Sequence, residues 1–127
     1  MKIDISIGEL VDKVTILSIK LEKFKDEVKK SNVQKEYDIL TVPMNQIGIT
    51  TDSKEFKDLR EINLKLWHIE DDIRIEESKS EFGTKFIELA RSVYFINDDR
   101  AAVKKEINLK YNSDLVEEKE YVDYKKK

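Results

Sequence analysis

SIGELVDKVTILSIKLEKFKDEV, residues 6–28, decides the fold class by its spacing. Leu10, Val14, Leu17, Leu21, Phe24 and Val28 recur at steps of three and four residues. That period lines one face of an α-helix, whereas a strand would need steps of two. Ser6 and Glu9 have the spacing of a capping box, in which the hydroxyl serves a free amide and the acid reaches back. Lys20, Glu22, Lys23 and Glu27 fall mostly on the opposite side, so the helix is amphipathic. Before it, residues 2–7 alternate and read as a short extended arm. After it, Ser31 and Asn32 predict a break, and Val33, Tyr37 and Leu40 a shorter helix.

The remaining chain repeats this grammar. Residues 42–51 hold Pro43 and Gly48 with few charges and read as a loop. A second long helix opens at Asp52 or Ser53 and carries Phe56, Leu59, Ile62, Leu66, Ile69 and Ile73. It fades by Ser80, with Gly83 supplying the turn. A third seam runs through Phe86, Leu89, Val93 and Ile96, then Arg100, Val103, Ile107 and Tyr111. Asn97, Asp98 and Asp99 predict a break or kink within it, because short polar side chains compete with helical backbone bonds. Residues 113–124 read as a last short helix and residues 122–127 as a frayed tail. The expected architecture is therefore an all-α antiparallel helical bundle of three long helices plus one or two short ones, forming one domain over 1–127. Wide apolar faces on the first and third long helices also allow a homodimer.

Composition narrows the function. Only three glycines and one proline occur in 127 residues, too few turn formers for an all-β or doubly wound fold. Charged residues make up 40% of the chain, yet the net charge is −3, which argues against a nucleic-acid face. The absence of cysteine excludes disulfides and thiolate metal sites. No apolar run approaches the roughly 18 residues of a membrane span, and the start does not read as a signal peptide, so a soluble cytoplasmic protein is expected. No phosphate-binding glycine loop or dinucleotide fingerprint is present, and no metal or other cofactor is called for. His68 is the sole histidine, which disfavours a carboxylate-bridged di-iron bundle and leaves a His-dependent hydrolase without a nucleophile signal. The acid pairs Glu9/Asp12, Glu55/Asp58 and Asp58/Glu61 have metal-compatible spacing, but in a chain with 27 acids they are expected to face solvent.

Arginine is the informative residue. The chain has 20 lysines and four arginines, at positions 60, 74, 91 and 100. The guanidinium fork differs from an ammonium in binding carboxylate or phosphate through two parallel hydrogen bonds. On the second long helix Asn63, Trp67, Glu70, Asp71 and Arg74 share one face. On the third, Arg91, Tyr94, Asn97 and Arg100 follow one another, and Arg100 takes a slot in the apolar seam. A buried arginine needs a partner, for which Glu70 or Asp71 is the expected candidate. An internal ion-pair network is the simpler account of this cluster. The functional account is a pocket for an anionic small molecule, with arginines on the charge, Trp67 or Tyr94 stacking, and Asn63 and Asn97 orienting. The acidic tail around Lys119 and Tyr121 is expected to pin itself by salt bridges, with a lid over the pocket as the functional version.

SIGELVDKVTIL (6–17), LWHIEDDIR (66–74), ELARSVY (88–94), NDDRA (97–101), KKEIN (104–108) and VEEKEY (116–121) resemble an uncharacterised family of small helical proteins from bacteria and phages, a domain of unknown function. The resemblance spans nearly all of the chain except 42–51 and attaches no reaction to it. Genes of such families can lie near those for sugar transfer and surface polysaccharide. The resemblance therefore implies, by association alone, nucleotide-sugar or glycan metabolism. Two functions are carried forward. One is a binding or interaction module holding an anionic small molecule. The other is an enzyme on a phosphate- or sugar-containing substrate, with or without magnesium, with Glu70 or Asp71 as base and Arg74, Arg91 and Arg100 stabilising charge.

Overall fold

Ser6 caps α1 (Ile7–Lys23) as its spacing predicts, its hydroxyl accepting from the Glu9 amide at 3.1 Å. Three more helices follow in the computed structural model, which describes residues 1–124: α2 (Glu27–Gln46), α3 (Lys54–Ser78) and α4 (Thr84–Lys110). They form an all-α helical bundle. α1 packs against each of the other three, and α3 packs along α4. The core gathers Leu10, Val11 and Val14 of α1, Met44, Ile49, Phe56, Leu59 and Ile107.

The three long helices are α1, α3 and α4, of 17, 25 and 27 residues, and the helix expected to be shorter, α2, reaches 20. The first break falls at 24–26 instead of Ser31–Asn32. Asp26 causes it: its carboxylate accepts the amides of Val28 at 2.9 Å and Lys29 at 3.1 Å, which starts a new helix. Val28 consequently leaves the α1 stripe and is exposed. Residues 42–46, expected in a loop, belong to the end of α2 despite Pro43. The buried Met44 and Ile49 explain the extension. Gly48 at φ 93° closes the helix, with the Ile49 amide bonding back to the Met44 carbonyl at 3.2 Å and the Gly48 amide to Asn45 at 3.0 Å. The two core side chains flank this closure, so burial holds the last turn helical.

α4 passes unbroken through Asn97–Asp99. Two of those side chains are engaged away from the helix backbone: Asp98 accepts the Tyr124 hydroxyl, and Asn97 faces a cavity. At the end of α3 it is Ser80, at φ 55°, that turns the chain, with the Glu81 amide bonding to the Glu76 carbonyl at 2.9 Å; Gly83 only precedes α4. Residues 113–124 form no helix. They run back along α4, where Tyr124 packs its ring on Phe95 at 5.1 Å while Val122 and Asp123 stand exposed. Residues 125–127 lie outside the described residues.

One contact fixes where α1 meets α4. A Cβ at Gly8 would come within 2.5 Å of the Lys104 carbonyl oxygen, so only glycine allows this approach. The Gly8 amide donates to the Asn108 side chain at 2.6 Å, and the Ile7 amide to Ser113 Oγ at 3.0 Å. Side chains at the far end of the chain thereby satisfy the first free amides of α1.

Candidate functional site

Arg100 sits among the apolar positions of α4 because it has a buried partner, and that partner is Asp12 of α1. Its Nε donates to Asp12 Oδ1 at 2.9 Å and its Nη2 to Oδ2. The Asp12 side chain is 1% exposed and that of Arg100 28%. Glu70 and Asp71, the expected partners, face solvent on α3. The expectation that Glu9 and Asp12 face solvent fails for Asp12 for the same reason: its position turns towards α4.

A set of polar side chains completes this junction. Asn63 Nδ2 lies 2.8 Å from both Asp12 Oδ1 and Thr15 Oγ1. Lys104, one turn beyond Arg100, places its ammonium 2.7 Å from Glu9, 3.7 Å from Asp12 and 3.6 Å from Glu117 of the tail. Burial pushes the Asp12 carboxyl up, but hydrogen bonds from Arg100 and Asn63 and the charges of Arg100 and Lys104 outweigh it, so its pKa ends below the usual carboxylate value. Burial likewise pushes Lys104 down, and the Glu9 bond with the charges of Asp12, Glu9 and Glu117 carries it above the ordinary lysine value. Each buried charge thus stays ionised because the other sign is beside it.

Next to this junction a cavity of about 950 Å³ opens between α4 and the returning tail, within the range of small-molecule sites. Arg91, Asn97 and Arg100 supply its polar wall on α4, and Tyr94 and Phe95 its aromatic one; Lys119, Tyr121 and Tyr124 close it from the tail. Tyr124 packs against Tyr94 with ring centroids 5.7 Å apart and planes tilted by 57°. Burial and its bond to Asp98 push the Tyr124 phenol up to about 12, so it stays protonated at neutral pH. The tail is held by Lys104–Glu117 at 3.6 Å and Lys105–Glu118 at 3.0 Å.

Of the residues singled out from sequence, Arg91, Tyr94, Asn97 and Arg100 come together at this cavity. Asn63 reaches it indirectly, through Asp12. The rest of the α3 stripe does not: Trp67 packs against Phe24 with centroids 6.3 Å apart, and Arg74 lies 3.9 Å from Glu70 on the open face of α3, 72% exposed. Asp12, Gly8, Phe95 and Tyr124 went unread as site residues. Asp12 did carry a signal, since it shares a face with Gly8, Thr15 and Ile19 at helical steps, a set too small and apolar for a solvated surface. Among the described residues, no three acidic or histidine side chains gather into a set that could hold a metal ion, and no helix is long and apolar enough to cross a membrane.

The family described as "Family of unknown function (DUF6165)" matches residues 1–125. No curated protein matches the chain, and no solved structure does.

Proposed function

The chain belongs to this family of unknown function, and from that premise we propose that it is a small helical binding module whose cavity between α4 and the tail holds an anionic small molecule. One observation carries the reading: Arg91, Arg100 and Lys119 line a single aromatic-walled cavity with charge to spare. Arg91 and Lys119 have no carboxylate within salt-bridge distance among the described residues, and Arg100 commits only one edge of its guanidinium to Asp12. Arg91 and Lys119, beside an Arg100 whose charge Asp12 already meets, stand against one lining acid among the described residues, Asp98, and favour an anion; the flat side chains of Tyr94 and Tyr121 suit a ligand with apolar or ring faces. Binding is favoured over catalysis because Asp98 already accepts a proton donor in Tyr124, while Glu70 and Asp71 stand away from the cavity.

The test is a thermal-shift screen of small phosphates, nucleotides, nucleotide sugars and carboxylates, followed by calorimetric titration of any hit. Stabilisation by an anion that disappears in Arg91→Ala and weakens in Lys119→Ala supports the reading. A hit unaffected by either substitution places the ligand elsewhere, and a screen with no hit removes the reading.

Pairing with a second copy has separate support. Between Trp67 and Glu106 no apolar side chain is fully buried, and Ile75, Phe82 and Ile87 stand half-exposed around the α3–α4 turn. Light scattering of the full chain across a dilution series decides between monomer and dimer.

A further inference from the structure

We propose that Asp12 is a positioning residue for the cavity, acting through Arg100, an inference that rests on the anion-binding reading above. Asp12 does not line the cavity and belongs to a different helix from Arg100. Its carboxylate nevertheless governs how the cavity's innermost cation is presented. Nε and Nη2 of Arg100 are taken by the two Asp12 oxygens, while Nη1 has no acceptor among the described residues. Arg100 is also one of the cavity-lining residues and keeps 28% of its side chain accessible. A guanidinium is rigid and planar, so fixing one edge fixes the direction of the other. The free edge is therefore aimed by Asp12 rather than by the flexible arginine stem.

Asp12 is itself held from several directions. Asn63 donates to Oδ1 at 2.8 Å, and the Thr15 hydroxyl, also bonded to Asn63, donates to the Asp12 backbone carbonyl at 2.6 Å. Lys104 contributes charge at 3.7 Å but is anchored on Glu9 at 2.7 Å, which leaves the carboxylate's bidentate face to Arg100. Packing alone does not call for such a network, since apolar residues of similar volume commonly stabilise a core as well as a buried ion pair does. An ordered cation at a cavity wall, by contrast, needs this support, because ordering done during folding is not charged against ligand affinity.

The experiment uses the full chain with inorganic pyrophosphate as the probe, titrated calorimetrically at pH 7 into wild type, Asp12→Asn, Arg100→Lys and the double variant, each checked for helicity and unfolding temperature. Asp12→Asn keeps the side chain's shape and is expected to weaken binding about tenfold, as is Arg100→Lys. Because the two act as one unit, the double variant is expected to bind within about twofold of the weaker single variant. A folded Asp12→Asn protein that binds within about twofold of wild type overturns the inference and leaves the cavity reading intact. If Asp12→Asn does not fold, Asn63→Ala retains the carboxylate but removes its neutral donor. It is expected to weaken binding by roughly two- to fivefold, and unchanged affinity in that variant is equally contradictory. If wild type binds neither pyrophosphate nor any other anion of the screen, or if Arg91→Ala and Arg100→Lys bind pyrophosphate as wild type does, the cavity reading itself fails and the role of Asp12 fails with it; where another anion of the screen binds in place of pyrophosphate, the same variants are titrated with it and the same outcomes decide.

Discussion

Arg100 and Arg74 lie on adjacent helices and meet carboxylates in opposite ways. Arg74 approaches Glu70 at 3.9 Å along its own helix, with side chains 72% and 54% exposed. Arg100 reaches across to α1, where Asp12 offers both oxygens from a position 1% exposed. The first pair is screened by water and costs two long side chains their freedom, so it contributes little. The second joins residues 88 positions apart, and removing Arg100 strands the Asp12 carboxylate in the interior. An arginine's rarity in the sequence thus carries information only together with what its neighbours on other helices provide.

The sharpest way to break this contrast is to truncate both arginines. Arg100→Ala should cost about 3 kcal/mol in a urea-unfolding measurement, because the Asp12 carboxylate stays buried with only Lys104 and Asn63 for compensation. Arg74→Ala should change stability by less than about 0.5 kcal/mol. Equal losses in the two variants would erase the distinction between the two pairs.

Gly8→Ala comes next in size. The added methyl would press on the Lys104 backbone, which cannot move without shifting α4, so a loss of about 1–3 kcal/mol is expected in the same assay. A neutral effect would mean that α1 and α4 are not in close contact where Gly8 meets Lys104, one turn from the Asp12–Arg100 pair.

The pH dependence sharpens the contrast further. Asp12 is depressed relative to its ordinary 3.8, so its stabilisation is complete above that value and is lost as pH falls through the lower folded value. Lys104 is raised above its ordinary 10.5, so its stabilisation is complete below that value and is lost as pH climbs past the folded one. Unfolding free energy measured against pH should therefore be flat with respect to these two groups near neutrality and fall at both extremes. In Asp12→Asn the acid limb should become shallower.

The smallest effect concerns the turn beyond the Arg74 end of α3. Ser80 occupies the left-handed region at φ 55°, where glycine is unstrained. Ser80→Gly should raise stability by about 0.5–1 kcal/mol without altering ligand binding.

How much of this was legible in the sequence differs between the same two regions. The apolar period alone locates the stripes of α1, α3 and α4, and the Ser6–Glu9 spacing marks the cap of α1, because those signals are local. The turn at 24–26 was missed since Asp26 stands inside a run of charges where nothing marks it as a cap. The extension of α2 past Pro43 was missed because it depends on Met44 and Ile49 burying against other helices. The α4 half of the candidate site was legible, since Arg100 interrupts an apolar seam. The α3 half was misplaced, because sharing a helical face does not say what the face meets. In the sequence Asp12 is one of 27 acids; its partner lies far along the chain, and pairing at that distance is a tertiary fact.

The most direct test follows the arginine side-chain Nε–H signals by NMR while pyrophosphate is added. In the free protein the Arg100 signal should already be distinct and slow to exchange, owing to its bond to Asp12. On titration the account predicts that Arg91 and Arg100 shift with a common saturating curve while Arg74 stays still. Equal small shifts at all four arginines, or movement of Arg74 with Arg100 unmoved, would contradict it.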